Sequence, residues 1–135
     1  MSDKFFIDTN IILYAISTVD DKKYSIAKPL VLGGQATISV QVINECSVNL
    51  LKKMKFTEHQ IEKFIDSSYS RYHVVNLDKN IFIQASHLRE KYFLSYYDSI
   101  IVSTALISNC SILYSEDMQH NILIENKLRI INPFI

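Results

Sequence analysis

The sequence predicts an α/β domain built on a central, mainly parallel β-sheet of four to five strands flanked by helices. Three observations carry that expectation. Short apolar runs alternate with longer stretches whose apolar residues recur at three- and four-residue steps, the order that parallel sheets with crossover helices produce. Only two Gly and two Pro occur in 135 residues, too few turn formers for an all-β fold. Hydrophobic residues make up 48% of the chain, enough to core one domain, expected to span residues 1–135.

Phe5-Phe6-Ile7 is an apolar run that stops at Asp8. A second run with helical spacing follows from Asn10 to Ile16, so a buried strand feeds a short helix with Asp8 at the strand's carboxyl end. Asp20–Leu32 reads as a second helix, opened by acids and stopped by Gly33-Gly34, with Pro29 expected to kink or break it. Ala36–Ser39 is a short second strand. Val40, Ile43, Cys46, Leu50, Leu51 and Met54 form one apolar stripe, which predicts a helix from Val40 to about Lys53. Lys52, Lys53 and Lys55 gather at its end, where cations suit the helix dipole.

Thr57-Glu58-His59-Gln60 has the form of a capping box and opens a helix to about Tyr69. His73–Leu77 is a third strand. Asp78 begins the next helix, with Ile81, Ile83, Ala85, Leu88 and Tyr92 on its inner side. Ser95-Tyr96-Tyr97 separates it from the most apolar helix, Asp98–Asn109, whose residues cover nearly every face and place it centrally. Ser111–Tyr114 is a fourth strand, followed by Ser115-Glu116-Asp117. A short helical segment around Asn121–Asn126 leads to a last strand, Leu128–Ile131.

Composition narrows the function classes. Fourteen basic and fourteen acidic residues cancel, so the chain does not coat nucleic acid through bulk charge. Cys46 and Cys110 lie in apolar stretches and read as reduced packing residues of a cytoplasmic protein. No signal-peptide pattern precedes the first strand, and no apolar run reaches the roughly 18 residues of a membrane span.

Four acids have somewhere to meet. Asp8 and Asp117 each follow an apolar strand, and in a parallel sheet both face the same edge, where α/β ligand sites form. Asp98 lies in the first turn of the buried helix, and Glu45 one to two turns into the helix leaving the second strand. Clustered carboxylates raise one another's pKa unless a cation keeps them ionised. All-oxygen donors select a hard ion such as Mg²⁺ or Mn²⁺, which binds phosphate and helps ionise an attacking water. Hydrolysis of a phosphodiester without a covalent intermediate is the chemistry implied.

Each acid also has a plainer reading. Asp8, Asp98 and Asp117 could be helix caps, Glu45 a solvated flank, and Glu116 could replace Asp117, which is preferred of the two. Asp3, Asp20, Asp21, Asp66 and Asp78 read as structural. Thr9, Asn10 and Ser115 stand beside acids and suit supporting hydrogen bonds to them; Ser39 suits bracing its strand's end. His59, His73, His87 and His120 show no paired ligand spacing, and only His120 lies near an acid. No phosphate-cradling Gly-rich loop, Cys-x-x-Cys pair or nucleophilic Ser motif occurs.

Phe6–Tyr14 resembles the opening motif of PIN domains. Ser39–Glu45, Tyr97–Val102 and Ser115-Glu116-Asp117 with His120 resemble the segments carrying their second, third and fourth acids, and Ile130–Phe134 is similar to a frequent PIN ending. The resemblance spans nearly the whole chain in order and implies a three-layer PIN fold. A single short PIN domain most resembles the VapC toxins of bacterial VapBC toxin–antitoxin pairs. That implies a Mg²⁺-dependent endoribonuclease cutting structured RNA such as tRNA or rRNA, a homodimer, and a VapB-like antitoxin whose C-terminal segment blocks the site. By residue it implies metal ligation by Asp8, Glu45, Asp98 and Asp117, supported by Thr9, Asn10 and Ser115. The fourth position varies in the family, so Glu116 stays open as its ligand.

Other readings are a PIN-like interaction module without catalysis and a metal-dependent phosphatase of the haloacid dehalogenase type. The latter wants a second acid where this chain has Asn10. A receiver domain would want an acid pair at the first strand and a phosphoacceptor at the third, where Asn76-Leu77 stands. Lys52, Lys53 and Lys55 could touch RNA, and Tyr14 and Tyr24 could face a partner chain.

Overall fold

The computed structural model describes residues 4–135; Asp3 lies outside them. In chain order the elements are β1 (Phe5–Ile7), α1 (Thr9–Ile16), α2 (Asp21–Leu32), β2 (Thr37–Ser39), α3 (Val40–Lys52), α4 (Glu58–Arg71), β3 (His73–Val75), α5 (Lys79–Tyr92), α6 (Tyr96–Ile107), β4 (Ile112–Tyr114), β5 (Leu123–Ile124) and β6 (Leu128–Ile131). The strands form one sheet in the order β3-β2-β1-β4-β6-β5. All pairings are parallel except that of β5 with β6. The chain steps outward from β1 through β2 to β3, then returns to the other side of β1 with β4. The carboxyl ends of β1 and β4 therefore flank the point where the winding reverses, the place where open α/β sheets leave a crevice.

Local sequence explains most helix starts. Asp8, Asp20, Ser39, Thr57, Asp78 and Ser95 each cap a helix by accepting from a backbone N–H in its first turn. Thr57 and Gln60 complete the capping box in both directions. Thr57→Ala should cost about 1 kcal/mol, read as a lowered urea midpoint at unchanged slope; no change would mean that tertiary contacts alone hold α4.

Helix α6 lies at the centre, with every residue from Ser99 to Leu106 buried. Its polar residues are satisfied internally. Ser103 Oγ donates to the Ile81 carbonyl at 2.8 Å, Thr104 Oγ1 to the Ile100 carbonyl at 2.7 Å, and Ser99 Oγ accepts from Arg89 at 2.7 Å. Among the described residues no buried side-chain nitrogen or oxygen lacks a partner, as a dense core requires. Cys46 and Cys110 are buried free thiols; only Cys46 is helical, Cys110 lying between α6 and β4. Among the described residues no helix is long and apolar enough to cross a membrane.

The sheet has six strands where four to five were expected, because the segment expected to be helical, Asn121–Asn126, holds a strand instead. Leu123 and Ile124 pair antiparallel with Arg129 and Leu128. Glu125 and Asn126 turn the chain with φ of 52° and 56°, and Lys127 N–H donates back to the Ile124 carbonyl. A turn with positive φ normally announces itself with Gly, and this one does not. On α5, Ile83 faces out, 48% exposed, since the buried stripe Ile81, Ala85 and Leu88 sits on the opposite side of a 3.6-residue helix. Helix α6 starts at Tyr96, two residues before the expected Asp98, because Ser95 accepts from the Asp98 N–H. Pro29 does not break α2; the carbonyl it leaves without a donor belongs to exposed Ser25.

Candidate functional site

Asp8 follows β1 directly and Ser115 follows β4, and because Ile7 and Tyr114 are register partners the two residues emerge side by side. Ser115 Oγ donates to Asp8 Oδ2 at 2.9 Å, and Thr9 N–H donates to Asp8 Oδ1 at 2.7 Å. Capping α1 and standing in the crevice are thus one conformation of Asp8, not alternatives. The side chain is buried, 7% exposed. Its pKa is raised to about 6, chiefly by burial, with the charges of Asp98 and Glu45 adding to the rise and the two hydrogen bonds opposing it.

Glu45, in the second turn of α3, accepts from Gln41 Nε2 at 2.7 Å and from Thr9 Oγ1 at 3.3 Å. Asp98, in the first turn of α6, is half-buried, and desolvation raises its pKa, with Asp117 and Glu45 adding to the rise. Asp117 is exposed and accepts from Asn10 Nδ2 at 2.8 Å. Asp8 therefore feels Asp98 and Glu45, while Asp98 feels Glu45 and Asp117. All four acids are brought to one edge, and Thr9, Asn10 and Ser115 each bond to one of them. Ser39 caps α3 through the Val42 N–H.

Glu116 points elsewhere. Tyr14 Oη donates to its Oε1 at 2.7 Å, and Lys23 Nζ bonds both to its Oε2 and to Tyr14 Oη. Lys23 lies over the Tyr14 ring at 4.7 Å, and Tyr14 packs edge-on against Phe134 at 5.2 Å. This cluster engages Glu116 one turn along α1 from Asn10, which holds Asp117. His120 accepts the Asn132 N–H through Nδ1, tying the last hairpin to the C-terminal segment.

Sequence reading missed Gln41, Lys23 and the role of Tyr14. Gln41 stands four residues before Glu45, the spacing at which helix side chains meet, so its bond to Glu45 had a visible signal. Lys23 had none, since its partner lies 93 residues away.

The donor set suits a hard divalent cation: four carboxylates, oxygen only, two of them with pKa values raised partly by their neighbours' charge. Among the described residues no three His, Cys, Asp or Glu side chains are gathered closely enough to hold an ion as they stand. Glu45 and Asp117 are turned toward Gln41 and Asn10. Those amide bonds are the ones an incoming cation would have to replace.

The PIN domain family model matches residues 5–122. Solved structures share the fold nearly end to end at low identity. A toxin–antitoxin complex from Klebsiella pneumoniae is 19% identical, with 96% of this chain and 97% of that one covered and a TM-score of 0.68. VapC20 of Mycobacterium tuberculosis, a sarcin–ricin loop cleaving toxin, is 15% identical over 84% and 90% with a TM-score of 0.67. VapBC2 of Rickettsia felis, bound to a DNA fragment from its promoter, is 22% identical over 95% and 98% with a TM-score of 0.67. No curated protein matches the chain in sequence. With the family model covering most of its length and the acids of the resembling segments standing at one sheet edge, the chain belongs to the PIN domain family and carries the fold of VapC-type toxins.

Proposed function

We propose that this protein is a metal-dependent endoribonuclease, the toxin of a type II toxin–antitoxin pair. The observation that carries this reading is that Asp8, Glu45, Asp98 and Asp117 stand along one edge at the β1–β4 crevice, near enough that Asp8 feels the charges of Asp98 and Glu45, and Asp98 those of Glu45 and Asp117. A protein gains nothing in stability by crowding acids in a half-buried crevice, so their arrangement favours a bound cation. Asp8, Glu45, Asp98 and Asp117 would hold Mg²⁺, or Mn²⁺ as the alternative. When bound, such an ion supplies charge neutralisation at a phosphodiester and eases ionisation of a water. Ser115 and Thr9 fix the Asp8 carboxylate, Thr9 also bonds Glu45, and Gln41 and Asn10 hold Glu45 and Asp117 until an ion takes their place.

RNA is the substrate this reading assigns, tRNA or rRNA being the expected classes. The neighbours described as toxin–antitoxin complexes support a VapB-like antitoxin partner; a homodimer and a cytoplasmic setting belong to the same reading by family resemblance. A groove of about 410 Å³ between α1, α2 and α4, floored by Ile12, Val31 and Phe64 and bordered by Lys28, Lys63 and Arg71, suits an antitoxin helix with an apolar face and acidic flanks.

The test is titration calorimetry with MgCl₂ on wild type and Asp98→Asn, paired with cleavage of total RNA. Loss of both binding and cutting in the variant is the expected result. Wild type that binds no divalent ion would instead indicate a PIN-like module without catalysis. The fourth acid is tested the same way: Asp117→Asn should weaken Mg²⁺ binding by at least about tenfold, and Glu116→Gln by far less. Equal effects would put Glu116 back among the ligands.

A further inference from the structure

A hollow of about 500 Å³ opens beside Glu45, lined by Gln41, Asn44, Glu45, Val48, Asn49 and Tyr97. Its size falls within the roughly 300–1,000 Å³ of small-ligand sites. It is continuous with the acid crevice, because Glu45 belongs to both. Gln41 also joins the two, donating to Glu45 Oε1 at 2.7 Å and reaching the Tyr97 carbonyl at 3.5 Å. The lining carries no Lys, Arg or His, so a phosphate placed there would meet Glu45 with no protein cation to offset it.

What the lining does carry is an aromatic ring and amides. Tyr97 is 66% exposed, so the face of its ring is open to a stacking partner. Its orientation is fixed: Tyr96 packs against it edge-on at 5.4 Å, and the Arg89 guanidinium, itself bonded to Ser99, lies over Tyr96 at 4.6 Å. Asn44 supplies an amide able both to donate and to accept, while Gln41 and Asn49, whose nitrogens already donate to Glu45, keep amide oxygens able to accept. A fixed exposed ring beside neutral donors and acceptors is the chemistry that takes an unstacked nucleobase.

We infer that this hollow seats one unpaired nucleobase of the RNA beside the cleaved phosphodiester, stacked on Tyr97 and bonded by the amides of α3. The inference rests on the ribonuclease reading for its placement next to the cut, but it makes a separate demand. A base held in a duplex cannot enter, so unpaired RNA must be favoured, and Tyr97 must be the residue that favours it.

Binding of a fluorescein-labelled, short single-stranded oligoadenylate, followed by anisotropy in the cleavage-deficient Asp98→Asn protein, tests it. Adding Tyr97→Ala should weaken binding by about tenfold or more, while Tyr97→Phe should keep it within about twofold, since the stacking face remains. Affinity for a blunt duplex of the same length should not change. Unchanged oligoadenylate binding in Tyr97→Ala, equal losses on both probes, or no binding at all would each overturn the base site. Magnesium-dependent cleavage of total RNA by wild type separates the two readings. Cutting without dependence on Tyr97 keeps the nuclease and removes the base site; dependence on Tyr97 without cutting does the reverse.

Discussion

Asp8→Asn is expected to end RNA cleavage and, in metal-free buffer at neutral pH, to make the protein more stable. Asn keeps an oxygen for the Thr9 N–H and can exchange a hydrogen bond with Ser115, so α1 stays capped while the charge disappears. The carboxyl of Asp8 has its pKa raised from 3.8 to about 6 in the folded chain, chiefly by burial. Between those values the folded state holds a proton that the unfolded state has released. Metal-free stability therefore falls as pH rises from about 4 to about 6, and remains lower above that. The shift is worth at most about 3 kcal/mol, and Asp8→Asn should recover part of it at pH above 6 and none at pH below 4. Urea unfolding in EDTA across this range measures the effect. A variant destabilised at every pH would mean that Asp8 is chiefly a structural cap. Adding Mg²⁺ should reverse the order, stabilising wild type alone, because only its site binds the ion.

Phe6→Ala carries the largest expected loss of stability. Phe6 is fully buried in β1, with Thr37 of β2 and Leu113 of β4 as its register partners. Truncation leaves a cavity under the strand that presents Asp8 and should cost about 3–5 kcal/mol. Against a total of roughly 5–15 kcal/mol that loss leaves little margin. Denaturant unfolding should show it as a large fall in midpoint, and Phe6→Leu should recover much of it. A loss below about 1 kcal/mol would show that neighbours collapse into the space.

Where the sequence could be read and where it could not follows from the range of the interactions involved. Strand β1, helix α3 with its stripe, the Thr57 capping box and central α6 are written in residues a few positions apart, so their pattern survives without the fold. The hairpin of β5 and β6 was misread because Glu125 and Asn126 adopt positive φ without the Gly that usually marks such a turn. Leu123 and Ile124 then look equally at home in a helix until β6 is beside them. Ile83 was misplaced because an apolar residue announces hydrophobicity but not which side of its helix the core occupies.

The candidate site divides in the same way. That Asp8 and the acids after Tyr114 share an edge follows from chain order alone, given parallel strands, and so does the nearness of Asp98 at the start of a buried helix. Neighbours in a loop diverge, however, and no local pattern says which of Glu116 and Asp117 stands near enough to Asp98 for its charge to be felt there. Lys23 and Tyr14, close to each other on α2 and α1 but some hundred residues from the loop in sequence, engage Glu116 and leave Asp117 to Asn10. The amino-acid order by itself determined which strands and helices form and which edge collects the acids, because hydrophobic period and capping act over a few residues. Only the tertiary structure decided which partners Glu116 and Asp117 each meet, because those are brought together by packing rather than by sequence.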